Sequence, residues 1–167
     1  MRVYMASYGK KFLDKILNAE SSPIRLARSV SLGNFIAFSP FLGIQTLLIF
    51  GLGKLLRLNI TVIFTVVYVV NNPWTMIPIA ALDYSIGHWL TETVFKLDLM
   101  RYNPSWMAWV NNKIGYYLVQ YLGIAELCFW CFIIGGMVVA SVISLASYPF
   151  MKIFFTKLIR QRNRENT

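Results

Sequence analysis

The chain has 167 residues, of which 57% are hydrophobic, and its mean hydropathy is +0.55. Soluble domains are about 45–50% apolar, so the composition excludes an ordinary soluble protein and predicts an integral membrane protein. The net charge of +9 could also indicate nucleic-acid binding. Because the basic residues cluster at the ends of apolar segments, we interpret them as a topology signal and predict no nucleic-acid partner.

The N-terminal part of the chain contains a basic segment followed by the first apolar unit. Apolar side chains recur at helical spacing over residues 4–19, which predicts an amphipathic helix on the membrane surface and no cleavable signal. Residues 23–57 form a unit that Ser39-Pro40 interrupts, with a turn over 40–43 and a second short helix over 44–56. Two half-length helices around a break indicate a re-entrant hairpin, and one kinked span is the alternative.

The second apolar unit, residues 60–90, is interrupted at Asn72-Pro73, where a capping amide and a proline signal a helix start. An aromatic helix over residues 104–122 is predicted at the outer interface. Residues 127–155 are long enough to cross a hydrocarbon core of about 30 Å, and 156–167 form a basic cytoplasmic tail. The predicted fold is therefore an all-α, single-domain integral membrane protein with broken helices and one long C-terminal transmembrane helix.

The distribution of charge predicts the orientation. Basic residues exceed acidic ones in residues 1–28, between the two apolar units and in the tail, whereas residues 91–126 carry three of each. The positive segments are expected on the cytoplasmic side. This predicts a multi-pass protein of the bacterial cytoplasmic (inner) membrane with both termini in the cytoplasm.

Both helix breaks place polar side chains beside helix N-termini, which attract anionic groups. The alternative is that these side chains only satisfy each other and the broken backbone. Asp83 is the only acid within an apolar unit, so we expect it to bind substrate and respond to protons, or else to pair with a basic residue. His88 and Glu92 can meet as an i, i+4 pair. The predicted substrate site is lined by Ser39, Gly43, Gln45, Thr46, Asn71, Asn72, Thr75 and Asp83.

Two further groups of residues are candidates for contacts with lipid and with other helices. Four basic residues at the ends of the first unit are expected to converge on an anion or lipid phosphate, or to extend to ordinary anionic lipid. They are Arg25, Arg28, Lys54 and Arg57. Small residues in the last helix allow close helix approach, either for internal packing or in a homo-oligomer. They are Gly135, Gly136, Ala140 and Ser144.

The sequence contains no enzyme signature, and we predict a protein that is not an enzyme and has no cofactor or metal; a membrane enzyme that acts on lipid phosphates is the alternative. It lacks a cluster of metal-ligating residues, a phosphate-binding glycine loop and a nucleophile motif. Cys128 and Cys131 have C-x-x-C spacing within an apolar run. Because no βαβ pattern surrounds them, packing is favoured over redox chemistry.

The ordered combination of several motifs resembles a bacterial membrane-domain family catalogued as domain of unknown function 2062, over residues 20–155. These motifs include Ser22-Pro23, Pro40, Gln45-Thr46 and Asn72-Pro73-Trp74-Thr75. The resemblance implies a small bacterial membrane protein. Some similar domains are joined to glycosyltransferases, which implies a role in the cell envelope or in the metabolism of lipid-linked sugars. We expect a transporter or lipid-translocation component for an anionic or lipid-linked substrate. The alternative is a non-catalytic scaffold that assembles with an envelope-biogenesis protein.

Overall fold

The computed structural model describes residues 22–41, 43–97, 99–122 and 127–165, with the side chains of 114–122, 162, 163 and 165 excepted. The predicted surface helix over residues 4–19 lies outside the described residues. The described part is helical and contains no strand. A π-helical turn, Leu90–Val94, and a 3-10 turn, Met100–Tyr102, accompany six α-helices. These are α1 Pro23–Phe38, α2 Gln45–Leu55, α3 Ile60–Val70, α4 Pro73–Trp89, α5 Ser105–Leu122 and α6 Phe129–Glu165.

Local sequence signals account for most of the helix starts. The Arg25 amide donates to Ser22 Oγ over 3.4 Å at the start of α1, and the Val62 amide donates to Asn59 Oδ1 over 3.3 Å at the start of α3. Helix α4 begins at Pro73, as the Asn72-Pro73 pair predicts. At Ser39-Pro40 the chain forms a turn instead, and α2 begins only after Gly43, whose φ of +95° favours glycine.

Helix α6 is longer than the sequence predicted, because it continues from Phe129 to Glu165 without a break at Pro149. Residues 156–165 are thus part of this helix rather than a separate tail. Its segment Phe129–Gln161 is long and apolar enough to cross a membrane. The pair Ile60–Val70 and Pro73–Val94 would also qualify if the two helices formed one span.

The chain divides into two compact units. Within the described residues, unit 1 comprises 22–37, 41–72 and 140–165, and unit 2 comprises 38–40 and 73–139. In unit 1, Leu26, Ala27, Val62 and Phe155 form a buried apolar cluster.

A fully buried serine joins α1 of unit 1 to the start of α3. Ser29 Oγ donates to the Arg25 carbonyl over 2.8 Å and accepts from the Asn59 amide over 2.9 Å. It therefore satisfies a backbone N–H that precedes the first turn of α3.

Two glycines bring α4 and α6 of unit 2 into backbone contact. A Cβ on Gly87 would lie 2.6 Å from the Cys131 carbonyl carbon and 2.9 Å from the Gly135 nitrogen. A Cβ on Gly135 would lie 2.6 Å from the Gly87 nitrogen. Only residues without a side chain permit this approach, as small residues do at helix crossings in membrane proteins.

Asn103 holds the start of α6 in unit 2. Its Nδ2 donates to the Leu127 carbonyl over 2.9 Å, and its Oδ1 accepts from the Phe129 amide over 2.9 Å. The Leu127 amide in turn donates to Asn111 Oδ1 over 3.1 Å. One asparagine thus satisfies two backbone groups at the start of the helix, one on each side of Cys128.

Replacing Asn103 with alanine is expected to lower the free energy of unfolding by about 2 kcal/mol, because both backbone groups lose their partner. Thermal unfolding of the purified protein in detergent would measure the loss. The matched control is Asn112→Ala, which changes an exposed asparagine of α5 and should alter stability by less than about 0.5 kcal/mol. Equal effects of the two substitutions would contradict this role of Asn103.

Candidate functional site

Three arginines of unit 1 line one surface cleft of about 550 Å³. Arg25 and Arg28 come from the first two turns of α1, and Arg57 comes from the turn between α2 and α3. The described lining contains no acidic residue. We call this region the arginine cleft. It brings together three of the four basic residues that the sequence grouped, whereas Lys54 is exposed and is not part of the described lining.

The backbone at Arg57 has a conformation that glycine usually supplies. Its φ is +52°, its amide donates to the Lys54 carbonyl over 3.1 Å, and the Leu58 amide donates to the Gly53 carbonyl over 2.9 Å. This is the Schellman arrangement that ends a helix, in which glycine is the preferred residue. A residue other than glycine in this conformation lowers the stability of the fold by about 1 kcal/mol. An arginine at this position therefore suggests a role for its side chain.

An apolar groove of about 400 Å³ shares part of its wall with the arginine cleft. Arg28, Leu56 and Leu58 line both, so the two form one continuous lining. The groove adds Leu32 and Phe35 of α1 and Tyr148 of α6, and the sequence analysis did not bring these two helices together. The combined surface of unit 1 is cationic at one part and apolar at the other.

Reciprocal hydrogen bonds join two residues of this groove's lining, Ser31 of α1 and Ser144 of α6. Ser31 Oγ donates to the Ser144 carbonyl over 2.6 Å, and Ser144 Oγ donates to the Ser31 carbonyl over 2.9 Å. Each hydroxyl group thus donates to a carbonyl of the other helix, and the two bonds hold α1 and α6 together at this level. Ser144 belonged to the predicted packing stripe, and it contacts a helix of the same chain.

The polar residues of the two helix breaks meet in unit 1. Asn71 Nδ2 donates to Gln45 Oε1 over 3.1 Å, and Thr46 Oγ1 lies 3.2 Å from the Tyr68 hydroxyl. Gln45 Nε2 is buried and has no hydrogen-bond partner among the described residues. Asn72 Nδ2 donates to the Val69 carbonyl over 3.3 Å. These amides therefore partly satisfy one another and leave one donor for another group.

The remaining predicted polar residues, Ser39, Thr75 and Asp83, belong to unit 2. Asp83 is 2% exposed, and its Oδ1 has no hydrogen-bond partner in the described part of the chain. A Cβ on Gly136 would lie 3.3 Å from Asp83 Oδ2 and 2.9 Å from Pro40 Cδ, so the missing side chain of Gly136 makes room for both groups. Gly43 is exposed, and its positive φ accounts for it as a turn residue.

The two cysteines of unit 2 form a disulfide. Sequence reasoning favoured simple packing; both residues are indeed buried, and they are also covalently joined. His88 Nε2 lies 3.2 Å from Glu92 Oε2, as the spacing predicted. The described residues contain no group of histidine, cysteine and acidic side chains that could hold a metal ion.

Comparison with known proteins identifies the family of the chain. Searches of curated proteins and of solved structures found no match. The family model described as "Uncharacterized protein conserved in bacteria (DUF2062)" matches residues 7–164, nearly the whole sequence. The chain therefore belongs to this bacterial family, as its motifs indicated.

Proposed function

We propose that this protein is an integral membrane protein that binds a phosphate-bearing anionic lipid in unit 1 and takes part in its translocation. The observation that carries the proposal is the continuous lining of the arginine cleft and the apolar groove. A lipid has the same two parts, an anionic headgroup and an acyl chain. Arginine binds phosphate through paired N–H donors, and the groove offers apolar contact to the chain.

The charges and the disulfide support one orientation of α6. Lys157, Arg160 and Arg164 are exposed in the last turns of this helix, and basic residues favour the cytoplasmic side. The disulfide joins Cys128, the residue before the helix, to Cys131 in its first turn, and disulfides persist in oxidising compartments such as the bacterial periplasm. Both observations favour a helix that enters from the periplasm and ends in the cytoplasm.

A second polar position lies at the other end of α2 from the arginine cleft. Gln45 begins this helix and Arg57 follows its end, and 11 residues of helix span about 16 Å. The unpaired Gln45 Nε2 can donate to a lipid phosphate or glycerol oxygen that has left the arginines. We propose the Gln45–Asn71 pair as this second position, and Asp83 of unit 2 as the proton-responsive group.

Reconstitution into liposomes tests the proposal. Fluorescent phosphatidylglycerol is expected to exchange between leaflets faster in proteoliposomes than in protein-free vesicles, as followed by quenching from outside with a membrane-impermeant reductant. Fluorescent phosphatidylcholine, whose headgroup has no net charge, is expected to exchange more slowly. Gln45→Ala should slow the exchange of the anionic lipid. Equal rates with and without protein would reject translocation.

A further inference from the structure

We infer that Cys128 and Cys131 are a redox-active pair that a lipid-soluble quinone oxidises from the adjoining aromatic cleft. The inference concerns unit 2 and does not depend on lipid binding in unit 1. It rests on the membrane location proposed above, because such quinones dissolve in the bilayer. It adds a thiol–disulfide reaction to the proposed function.

The cysteine pair has surroundings that suit both redox states. The Cys131 amide, in the first turn of α6, donates to Cys128 Sγ over 3.1 Å. This bond and the positive end of the helix dipole stabilise a thiolate, the reactive form of cysteine. Thr91 Oγ1 donates to the Gly87 carbonyl over 2.8 Å and lies 3.4 Å from Cys131 Sγ. It can therefore accept a hydrogen bond from the Cys131 thiol when the pair is reduced.

The position of Thr91 depends on an unusual backbone segment. Thr91 is buried and lies in the π-helical turn Leu90–Val94 that follows α4. Such turns are uncommon and are frequently found at functional sites. The disulfide itself closes a loop with a sequence separation of 3, and short loops contribute least to stability. A stabilising role therefore explains the pair less well than a chemical one.

An apolar cleft of about 580 Å³ has Cys128 in its wall. Four aromatic side chains line it, and its described lining contains no charged residue. The volume lies within the range of about 300–1,000 Å³ typical of small-molecule sites. Aromatic walls offer stacking to a planar ring. The aromatic residues are Tyr84, Trp106, Phe129 and Phe132.

Burial and charge select the oxidant. Cys128 is 0% exposed and Cys131 is 3% exposed, and Cys128 lines the cleft, so an oxidant approaches the pair through the cleft, which a small molecule fits and a folded protein does not. The lack of charged lining residues disfavours the charged disulfide of glutathione. A quinone is small, planar and uncharged, and it accepts two electrons with two protons. The reaction breaks two S–H bonds, forms one S–S bond and converts the quinone to its hydroquinone.

The test uses the purified full-length protein in neutral detergent. The protein is reduced with a phosphine, freed of reductant and mixed without oxygen with a short-chain ubiquinone analogue. Free thiols and quinone absorbance are then followed together. We expect one quinone to be reduced for each pair of thiols lost, and no quinone reduction by Cys128→Ser. Thiols that persist in the presence of quinone would overturn the inference.

A substitution that fills the cleft distinguishes oxidation by a quinone bound in the cleft from oxidation by a quinone that reacts from solution. Ala81 lines the cleft, and Ala81→Trp is expected to slow oxidation by quinone at least tenfold while leaving oxidation by hydrogen peroxide unchanged. Ala108→Trp, at an exposed position of α5 outside the described lining, should react like the wild type. If Ala81→Trp does not fold, a redox-inert dimethoxybenzene analogue should compete with quinone in the wild type. A wild-type rate with the filled cleft, or no competition, would overturn the assignment.

Discussion

Replacing Gly87 or Gly135 with alanine is expected to prevent unit 2 from folding. In either case the added methyl group would overlap the backbone of the facing helix. Backbone atoms cannot move aside as a flexible side chain can, so the helices would have to separate along this contact. Overpacking of a well-packed core costs about 1–3 kcal/mol or more, against a total stability of about 5–15 kcal/mol. We expect costs above the upper end of that overpacking range.

The measurement is the yield of monodisperse protein from detergent extraction, followed by thermal unfolding of any folded fraction. Gly51→Ala is the matched control, because a Cβ there would meet nothing within 4 Å and the residue lies inside α2. This control is expected to gain about 0.5–1 kcal/mol from the better helix propensity of alanine. Wild-type yield and stability for Gly87→Ala would show that the two helices are not in this contact.

Replacing both Arg28 and Arg57 with glutamine is expected to weaken binding of an anionic phospholipid about thirtyfold. The estimate takes about 1 kcal/mol for each hydrogen bond lost between an arginine and the lipid phosphate, and 1.4 kcal/mol as tenfold in affinity. Native mass spectrometry of protein in neutral detergent with added phosphatidylglycerol would measure the bound lipid. Detergent removes the bilayer surface potential, so the loss reports the cleft itself.

Two controls show whether position or charge causes the loss. Lys152→Gln with Lys157→Gln removes the same charge from exposed positions of α6 and should leave lipid retention unchanged. Arg57→Gly should weaken lipid binding while raising stability by about 1 kcal/mol, because glycine suits the φ of +52°. Lys96→Gly relieves a similar φ of +53° and should raise stability without affecting lipid. Equal lipid loss in both double variants would reject the arginine cleft.

The sequence was sufficient for the features that depend on neighbouring residues. The breaks near Ser39-Pro40 and Asn72-Pro73 are present as interruptions between helices, because proline and capping side chains act on the backbone within one turn. The apolar run of α6 was likewise evident, since about 20 apolar residues suffice to span a bilayer. The extension of this helix to Glu165 was missed, because Leu158 and Ile159 are the only apolar residues of 156–165 and two adjacent residues form no helical repeat.

The candidate sites depended on contacts between residues far apart in the chain. Spacing grouped the arginines, but only the fold shows that Arg57 occupies a strained helix end and that Tyr148 of α6 extends the lining. Only the fold shows, likewise, that Gly87 cannot carry a side chain, because the backbone of Cys131 lies against it. Local propensities determined where the helices of this protein begin and break. Tertiary packing decided which side chains share a cleft, because helix positions that are distant in sequence become neighbours only when the helices cross.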